Sequence, residues 1–370
     1  MKTSSESSDL DRSVSVALVQ RIRQDLALHE GWISFERFMH LALYTPALGF
    51  YTRDRMPVGL LPKDGSDFVT APELSRLFGH TLARQVGQVL SFTRTDQILE
   101  FGAGSGALAE QVLDALGEQV GCYAILEVSA TLRARQKQRL ARFGSRIQWL
   151  NAWPQTFEGV ILANEVLDAM PPAVLRYDGK QWLERGVSWQ DDELVYVERP
   201  TAMTPPGLGP WPAGMVTEVH RQAQAFIRSL AERLTRGLVL IIDYGFPQDE
   251  YYHPQRMAGT LMCHRAHRSD DNPLIDVGLK DITVHLDFTA LALAAQDSGL
   301  DVAGYTSQAR FLLNCGLVQL LEHASPAQRA QARLLISEHE MGELFKVLAL
   351  SRCVEVELLG FSQGDRTHRL

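Results

Sequence analysis

Gln97-Ile98-Leu99-Glu100-Phe101-Gly102-Ala103-Gly104-Ser105-Gly106-Ala107 is the stretch whose reading decides the fold. Its first five residues read as a short buried strand, its glycines as a tight turn, and the segment from about Ser105 to Leu116 as a helix. Glycine in such a turn lets backbone amides approach a ligand where a Cβ would intrude, and the helix N-terminus behind it receives a polar or anionic group. Downstream, Tyr123 to Val128 predicts a second strand, followed by a basic helix carrying Arg133, Arg135, Lys137 and Arg139. Ile147–Leu150 and Gly159–Ala163 predict a third and a fourth strand. Gly237–Gly245 predicts a fifth, reached through a helix from about Val216 to Leu234. Strands alternating with helices imply an α/β fold with a doubly wound parallel sheet, which apolar segments near 300–306 and 347–355 would complete.

Upstream of the sheet the pattern is helical. Residues 14–30 and 34–44 carry apolar residues at helical spacing, the second group opened by Ser34. After a loop rich in glycine and proline, Thr70-Ala71-Pro72-Glu73 has capping-box spacing and predicts a helix running to about Leu90. Residues 14–94 are thus expected to form a mainly helical N-terminal extension. Residues 1–13, rich in serine and carrying Glu6, Asp9 and Asp11, are expected to be a disordered lead-in; they lack the features of a secretory signal or transit peptide, so a cytoplasmic location is expected. The core then comprises 95–172 and 216–245. A β-rich insertion over 173–215 shows hairpin character around Asp178-Gly179. A lid or substrate insertion over 246–285 shows no clear periodicity, and 286–370 completes the core.

Composition narrows the function. Of 370 residues, 45% are hydrophobic and 22% charged, which is ordinary globular usage and excludes a largely disordered chain. No apolar run approaches the ~20 residues of a membrane span. A net charge of −8 argues against a general nucleic-acid or anionic-membrane binder. Cys122, Cys263, Cys315 and Cys353 are too scattered for a redox pair or a thiolate zinc site and read as reduced structural thiols.

Two cofactors compete for the glycine turn. Gly102-x-Gly104-x-x-Ala107 satisfies the looser dinucleotide fingerprint, whereas Glu100-x-Gly102-x-Gly104-x-Gly106 matches the acidic turn of class I S-adenosylmethionine enzymes. An acid two residues before the first glycine complements a sulfonium and an amino group and would repel a pyrophosphate, which favours the second. Glu127, twenty-one residues beyond Gly106, is placed to bind the hydroxyls of a ribose. At the end of the fourth strand, Asn164, Glu165 and Asp168 are expected to face the same crevice, since ligands of doubly wound sheets bind beyond the carboxyl ends of the strands. Two carboxylates there suit a cationic nucleophile such as a guanidinium and the proton it must lose. Asp243 and Tyr244 form a second polar cluster on that edge and, with His264 and His267 of a patch expected to pack in a lid, are expected to bind substrate; with no recognised ligand spacing, no metal is expected.

Beyond the turn, an ordered series of motifs runs from about Gly31 to Phe361. It comprises Leu48-Gly-Phe-Tyr51, Asp67-Phe-Val-Thr-Ala-Pro-Glu73 with Phe78-Gly79, Glu100–Gly106 and Ala163–Pro171. Asp243-Tyr-Gly245, Gly259-Thr-Leu261, Asp281–Phe288 and Met341–Lys346 continue it. In these the chain resembles the MidA family, bacterial relatives of the mitochondrial arginine methyltransferases that assist respiratory complex I assembly. The resemblance implies a Rossmann-like class I methyltransferase sheet and S-adenosyl-L-methionine as cofactor, with Glu100, Gly102, Gly104, Gly106 and Glu127 around it. It implies Asn164, Glu165 and Asp168 at the catalytic end, and a protein arginine as acceptor, on a protein such as a complex I subunit. A small-molecule methyltransferase and a non-catalytic cofactor-binding assembly factor are the alternatives. Ala103 stands where the family often has proline, and His80 where an acid is common.

Overall fold

A computed structural model describes residues 4–53, 69–207 and 209–370. Of the motif residues, Asp67 and Phe68 lie outside that description. Seven strands form the backbone of the central sheet: β1 (Gln97–Phe101), β2 (Cys122–Leu126), β3 (Ile147–Leu150), β4 (Phe157–Asn164), β5 (Leu234–Phe246), β6 (Asp301–Ser307) and β7 (Phe345–Arg352). Their order is β6-β7-β5-β4-β1-β2-β3. The pairs among β1 to β5 are parallel, while β7 runs antiparallel between β5 and β6. From β1 the chain winds outward through β2 and β3, then crosses back to lay β4 on the other side of β1. The carboxyl ends of β1 and β4 therefore flank the point where the winding reverses, which is where such sheets hold ligands.

Apolar side chains leave both faces of the sheet. Leu238, Leu240 and Ile242 of β5 join one core, with helices α3 (Arg76–Thr93) and α4 (Ala107–Leu116); Val239 and Ile241 join the other, with α6 (Arg221–Arg233) and α7 (Phe288–Asp297). Burial on both faces explains why these strands read as near-continuous apolar runs. The basic helix predicted behind β2 is α5 (Ala130–Arg139).

The extension and the insertions form a second body of structure beside this sheet. Helices α1 (Ser4–Leu28) and α2 (Phe35–Tyr44) share a core with Val174 and Val187 of the first insertion and with Cys263, Val277 and Ile282 of the second. The first insertion forms a five-stranded antiparallel sheet in which Ile33–Ser34 from the extension pairs with Trp182–Gln190. Its hairpin turns where expected, with Asp178 accepting from the Lys180 and Gln181 amides at 2.7 and 2.8 Å. The second insertion carries three short strands, Met262–Arg265, Arg268–Asp270 and Asp281–Thr283.

Three local expectations need correction. The segment read as a disordered lead-in is helical from Ser4, continuous with α1. Val216–Val219, expected to begin a helix, is a strand pairing with Ala173–Tyr177, and α6 starts only at Arg221. The β-branched Val216, Thr217 and Val219 suit a strand, and its buried Glu218 accepts from the Thr260 amide at 2.9 Å and the Tyr251 hydroxyl at 2.7 Å, anchoring the second insertion. Finally, the helix expected from Thr70 breaks after one turn at Ser75, whose φ of −151° is extended. Ser75 accepts from the Leu77 amide and caps α3, while Thr70 makes no side-chain cap bond. Glu73 reaches instead across to the Ser105 hydroxyl and to Arg139, the latter at 2.9 Å.

Candidate active site

A cavity of about 1520 Å³ opens at the switch point, lined by the glycine turn, the loop after β4, the extension and the second insertion. Gly102, Gly104 and Gly106 all adopt positive φ, between 53° and 83°. A Cβ built on Gly104 would meet no protein atom within 4 Å, so that position faces open space in the cavity wall. Gln136 of α5 ties this turn to the acid beyond β2: its amide donates to the Gly104 carbonyl at 2.9 Å and to Glu127 at 3.0 Å. Glu127 also accepts from the Ser129 amide at 2.9 Å. Burial raises the Glu127 carboxyl, and those donors offset only part of the rise.

Glu100 is only 2% exposed and lines the cavity. Burial pushes its carboxyl up to about 8 against the hydrogen bond from Tyr123 at 2.8 Å. A desolvated acid of this kind takes a cation readily, because ionising it then no longer leaves an unpaired buried charge. Glu100 and Glu127, with the open backbone at Gly104, thus fit a ligand carrying amino and sulfonium charge at one end and a ribose at the other.

The loop after β4 carries the second set. Glu165 sits at φ 52°, a left-handed conformation costly for a non-glycine residue, and one that recurs where a side chain must be aimed. Its amide donates to the Ile242 carbonyl at 2.9 Å, and its carboxylate accepts from Asn164 at 3.1 Å. Burial first, then the nearby Asp168 charge, push the Glu165 carboxyl up to about 8. Asp168 is 5% exposed; one oxygen accepts from the Tyr244 hydroxyl, and the other finds no hydrogen-bond partner among the described residues. Burial pushes its carboxyl up to about 6, opposed by the Tyr244 bond. Asn164, Glu165, Asp168 and Tyr244 all line the cavity.

Two residues expected to contact substrate lie elsewhere. Asp243 is fully buried and does not line the cavity; its carboxylate accepts the Leu167 and Asp168 amides at 3.1 and 3.2 Å and its neighbour's amide at 2.9 Å. It holds the loop after β4 in shape. His267 is exposed in the turn between two strands of the second insertion and does not line the cavity, whereas His264 does. Among the described residues, no group of three or more His, Cys, Asp or Glu is arranged to hold a metal ion. Nor is any helix among them long and apolar enough to cross a membrane.

Sequence reasoning missed Gln136, the Tyr44 and Tyr51 rings of the extension, and Asp281 and Thr283 of the second insertion. All except Gln136 line the cavity. Tyr244 is flanked edge-on by His285 and Phe345, at ring-centroid distances of 5.0 and 5.3 Å. The motif Leu48–Tyr51 could have found Tyr51, and the motif Asp281–Phe288 could have found Asp281 and Thr283; both were singled out as patterns but assigned no role.

Comparison with known proteins agrees with this geometry. A family described as "Putative S-adenosyl-L-methionine-dependent methyltransferase" matches residues 81–306, more than half of the chain. A crystal structure from Burkholderia thailandensis bound to S-adenosyl-homocysteine is 45% identical, with a TM-score of 0.94, covering 97% of this chain and 98% of that one. A native structure from the same organism is 44% identical with a TM-score of 0.89 at the same coverage. The mitochondrial protein arginine methyltransferase NDUFAF7 of Danio rerio is 27% identical over 94% of this chain and 89% of its own length. The chain belongs to this family of S-adenosyl-L-methionine-dependent methyltransferases, the MidA type that its motifs resemble.

Proposed function

We propose that the acceptor is a guanidinium nitrogen of a protein arginine. The observation that carries this reading is the buried oxygen of Asp168 left without a partner, beside Glu165, in the cavity that also holds the cofactor turn. Bound S-adenosyl-L-methionine would supply a sulfonium methyl, whose carbon passes to the acceptor nitrogen while the sulfur keeps the electron pair of the broken bond. Glu100 and Glu127 would hold its charged and ribose ends. The protein's own task is then to place the nitrogen and take away one proton.

At neutral pH Asp168 is mainly ionised and can grip an N–H of the acceptor, while Glu165 keeps its proton until a cation enters. Once ionised by the guanidinium, Glu165 is the acceptor for the proton released on methylation. Asn164 orients that carboxylate, and Asp243 fixes the loop beneath it. The relatives named as protein arginine methyltransferases support the same acceptor. A cavity above the ~300–1,000 Å³ that usually houses one small ligand leaves room for a cofactor and a long side chain together. A subunit of a respiratory complex, met in the cytoplasm, is the class of protein to search first.

The test is transfer of isotope-labelled methyl from S-adenosyl-L-methionine to a protein digest, with mass spectrometry locating the label. Label on arginine, with Glu165→Gln and Asp168→Asn each lowering kcat about 100-fold or more while S-adenosylhomocysteine affinity holds, supports the reading. Label on another side chain or on a small metabolite, or turnover unaffected by both substitutions, would sink it. Cofactor binding without any transfer would point to an assembly factor.

A further inference from the structure

The hydroxyl of Tyr244 meets Asp168 inside the cavity, and neither gripping the acceptor nor removing its proton makes use of it. Tyr244 stands near the carboxyl end of β5, beside Asp243, whose carboxylate is spent on backbone amides. Its hydroxyl donates to Asp168 and accepts from Thr283, on the strand of the second insertion that pairs with Met262–Arg265. A phenol has one proton to give, and with Thr283 supplying its own the tyrosine proton goes to Asp168. Burial and the surrounding acids hold that hydroxyl well above its ordinary range, so it keeps the proton near neutral pH. The second insertion fixes the arrangement from outside. Val284 donates its amide to the Asp168 carbonyl at 3.0 Å. His285, edge-on to the Tyr244 ring, has its own amide held by the Thr260 hydroxyl at 3.1 Å, which donates to the buried Glu218 at 3.2 Å.

The two oxygens of Asp168 are therefore unlike. One is taken by Tyr244, and the other, buried, has no hydrogen-bond partner among the described residues. A carboxylate is otherwise weakly restrained in its last torsion, and a bond to one oxygen stops that turn. The free oxygen is then the one an incoming N–H must meet. The same bond favours the ionised carboxylate and opposes the burial that raises it. Glu165 and Asp243 beside it, Tyr44 and Tyr51 of the extension, and Asp281 bonded to Tyr51 also surround this acid. A substitution at Tyr244 that removes only its hydroxyl leaves them all in place.

We propose that Tyr244 is a positioning residue for methyl transfer, occupying one oxygen of Asp168 so that the other is presented to the acceptor. This rests on the reading of Asp168 as the acid that grips the acceptor. It gives the second insertion a part in the chemistry: through Thr283 and His285 it holds the tyrosine that holds the acid.

The experiment uses the full chain with S-adenosylhomocysteine bound and reads the Asp168 carboxyl by carbon NMR of labelled aspartate, assigned with Asp168→Asn. Tyr244→Phe keeps the ring. It is expected to raise the pH at which Asp168 titrates by about one unit or more, as loss of a bond to a charged group requires. Methyl transfer from S-adenosyl-L-methionine to a pool of blocked pentapeptides with central arginine is the second readout. There the acid limb of kcat should move up by the same interval. At low pH kcat then falls about tenfold and at high pH it recovers, with KM changed less. Thr283→Val should move both readouts the same way by a smaller amount, and Thr283→Ser by less than Thr283→Val. If Tyr244→Phe fails to fold, judged by its thermal unfolding, the two Thr283 variants decide the matter. An Asp168 titration that does not move, or a loss of kcat equal at every pH, would overturn the positioning role and leave the arginine reading standing. A titration that moves while the wild type transfers nothing to the arginine pool would overturn the arginine acceptor and leave the positioning of Asp168 standing.

Discussion

At the scale of single residues, Gly104 is the most informative position. Its φ of 53° and the empty space beyond its Cα mean that the protein itself tolerates a side chain there at the cost of backbone strain, about 1 kcal/mol. A cofactor seated against the turn would not tolerate one, because the side chain would occupy the space it needs. Gly104→Arg is therefore expected to leave the thermal unfolding of the ligand-free protein within a few degrees of wild type, and to abolish calorimetric binding of S-adenosyl-L-methionine and S-adenosylhomocysteine. Retained binding would remove the glycine turn from the cofactor site. This residue was legible because strand, turn and helix signals are local and adjacent. Gln136 was not: nothing in Arg-Gln-Lys-Gln-Arg distinguishes it, yet it is fully buried and bonds the Gly104 carbonyl, Glu127 and the Trp149 indole. Its role comes from which face of α5 packs on the turn, a tertiary fact.

At the scale of elements, strands buried on both faces announced themselves, and boundaries did not. The Thr70–Glu73 spacing had the form of a capping box, but Glu73 is drawn away by Ser105 and Arg139, so the cap passes to Ser75 five residues on. This makes a discriminating prediction. Ser75→Ala should lower stability by about 1 kcal/mol in denaturant unfolding, as loss of an N-cap on the 18-residue α3 requires, and Thr70→Ala should change it by less than half of that. The reverse order would show that the helix begins where the spacing first placed it. The cavity wall shared by the extension and the second insertion was hidden for a related reason. Tyr51 and Asp281 meet across 230 residues of sequence, and no local pattern reports a contact between an N-terminal turn and a lid strand. Asp243 shows the opposite error: a polar residue at a strand end on the functional edge, read as a contact for substrate, is consumed by three backbone amides.

At the scale of the whole molecule, the buried acids that serve the site also set how stability responds to pH. Glu100 and Glu165 each rise to about 8 from an ordinary value near 4.5, so the folded chain binds more protons than the unfolded one between those limits. Their contribution is fully present below about 4.5 and is lost as pH rises toward 8. Two buried histidines act in the other direction. His220 falls to about 3 and His285 to about 4 from 6.5, so stability gained from keeping them neutral is lost as pH falls below 6.5. The two trends oppose each other below 6.5; above it the acids act without the histidines. The ligand-free protein is thus expected to lose stability from pH 6.5 to about 8, by up to about 1.4 kcal/mol per pH unit for each acid, and to level off beyond. A cationic ligand beside Glu100 reverses the sign, because it favours the ionised acid. Stabilisation by S-adenosyl-L-methionine, read as the shift in Tm at fixed excess ligand, should therefore grow across the same window, and Glu100→Gln should flatten both slopes. A ligand-induced shift independent of pH from 6.5 to 8 would mean that Glu100 does not change its ionisation when the cofactor binds, and that the cavity's acids are not held in reserve for cations.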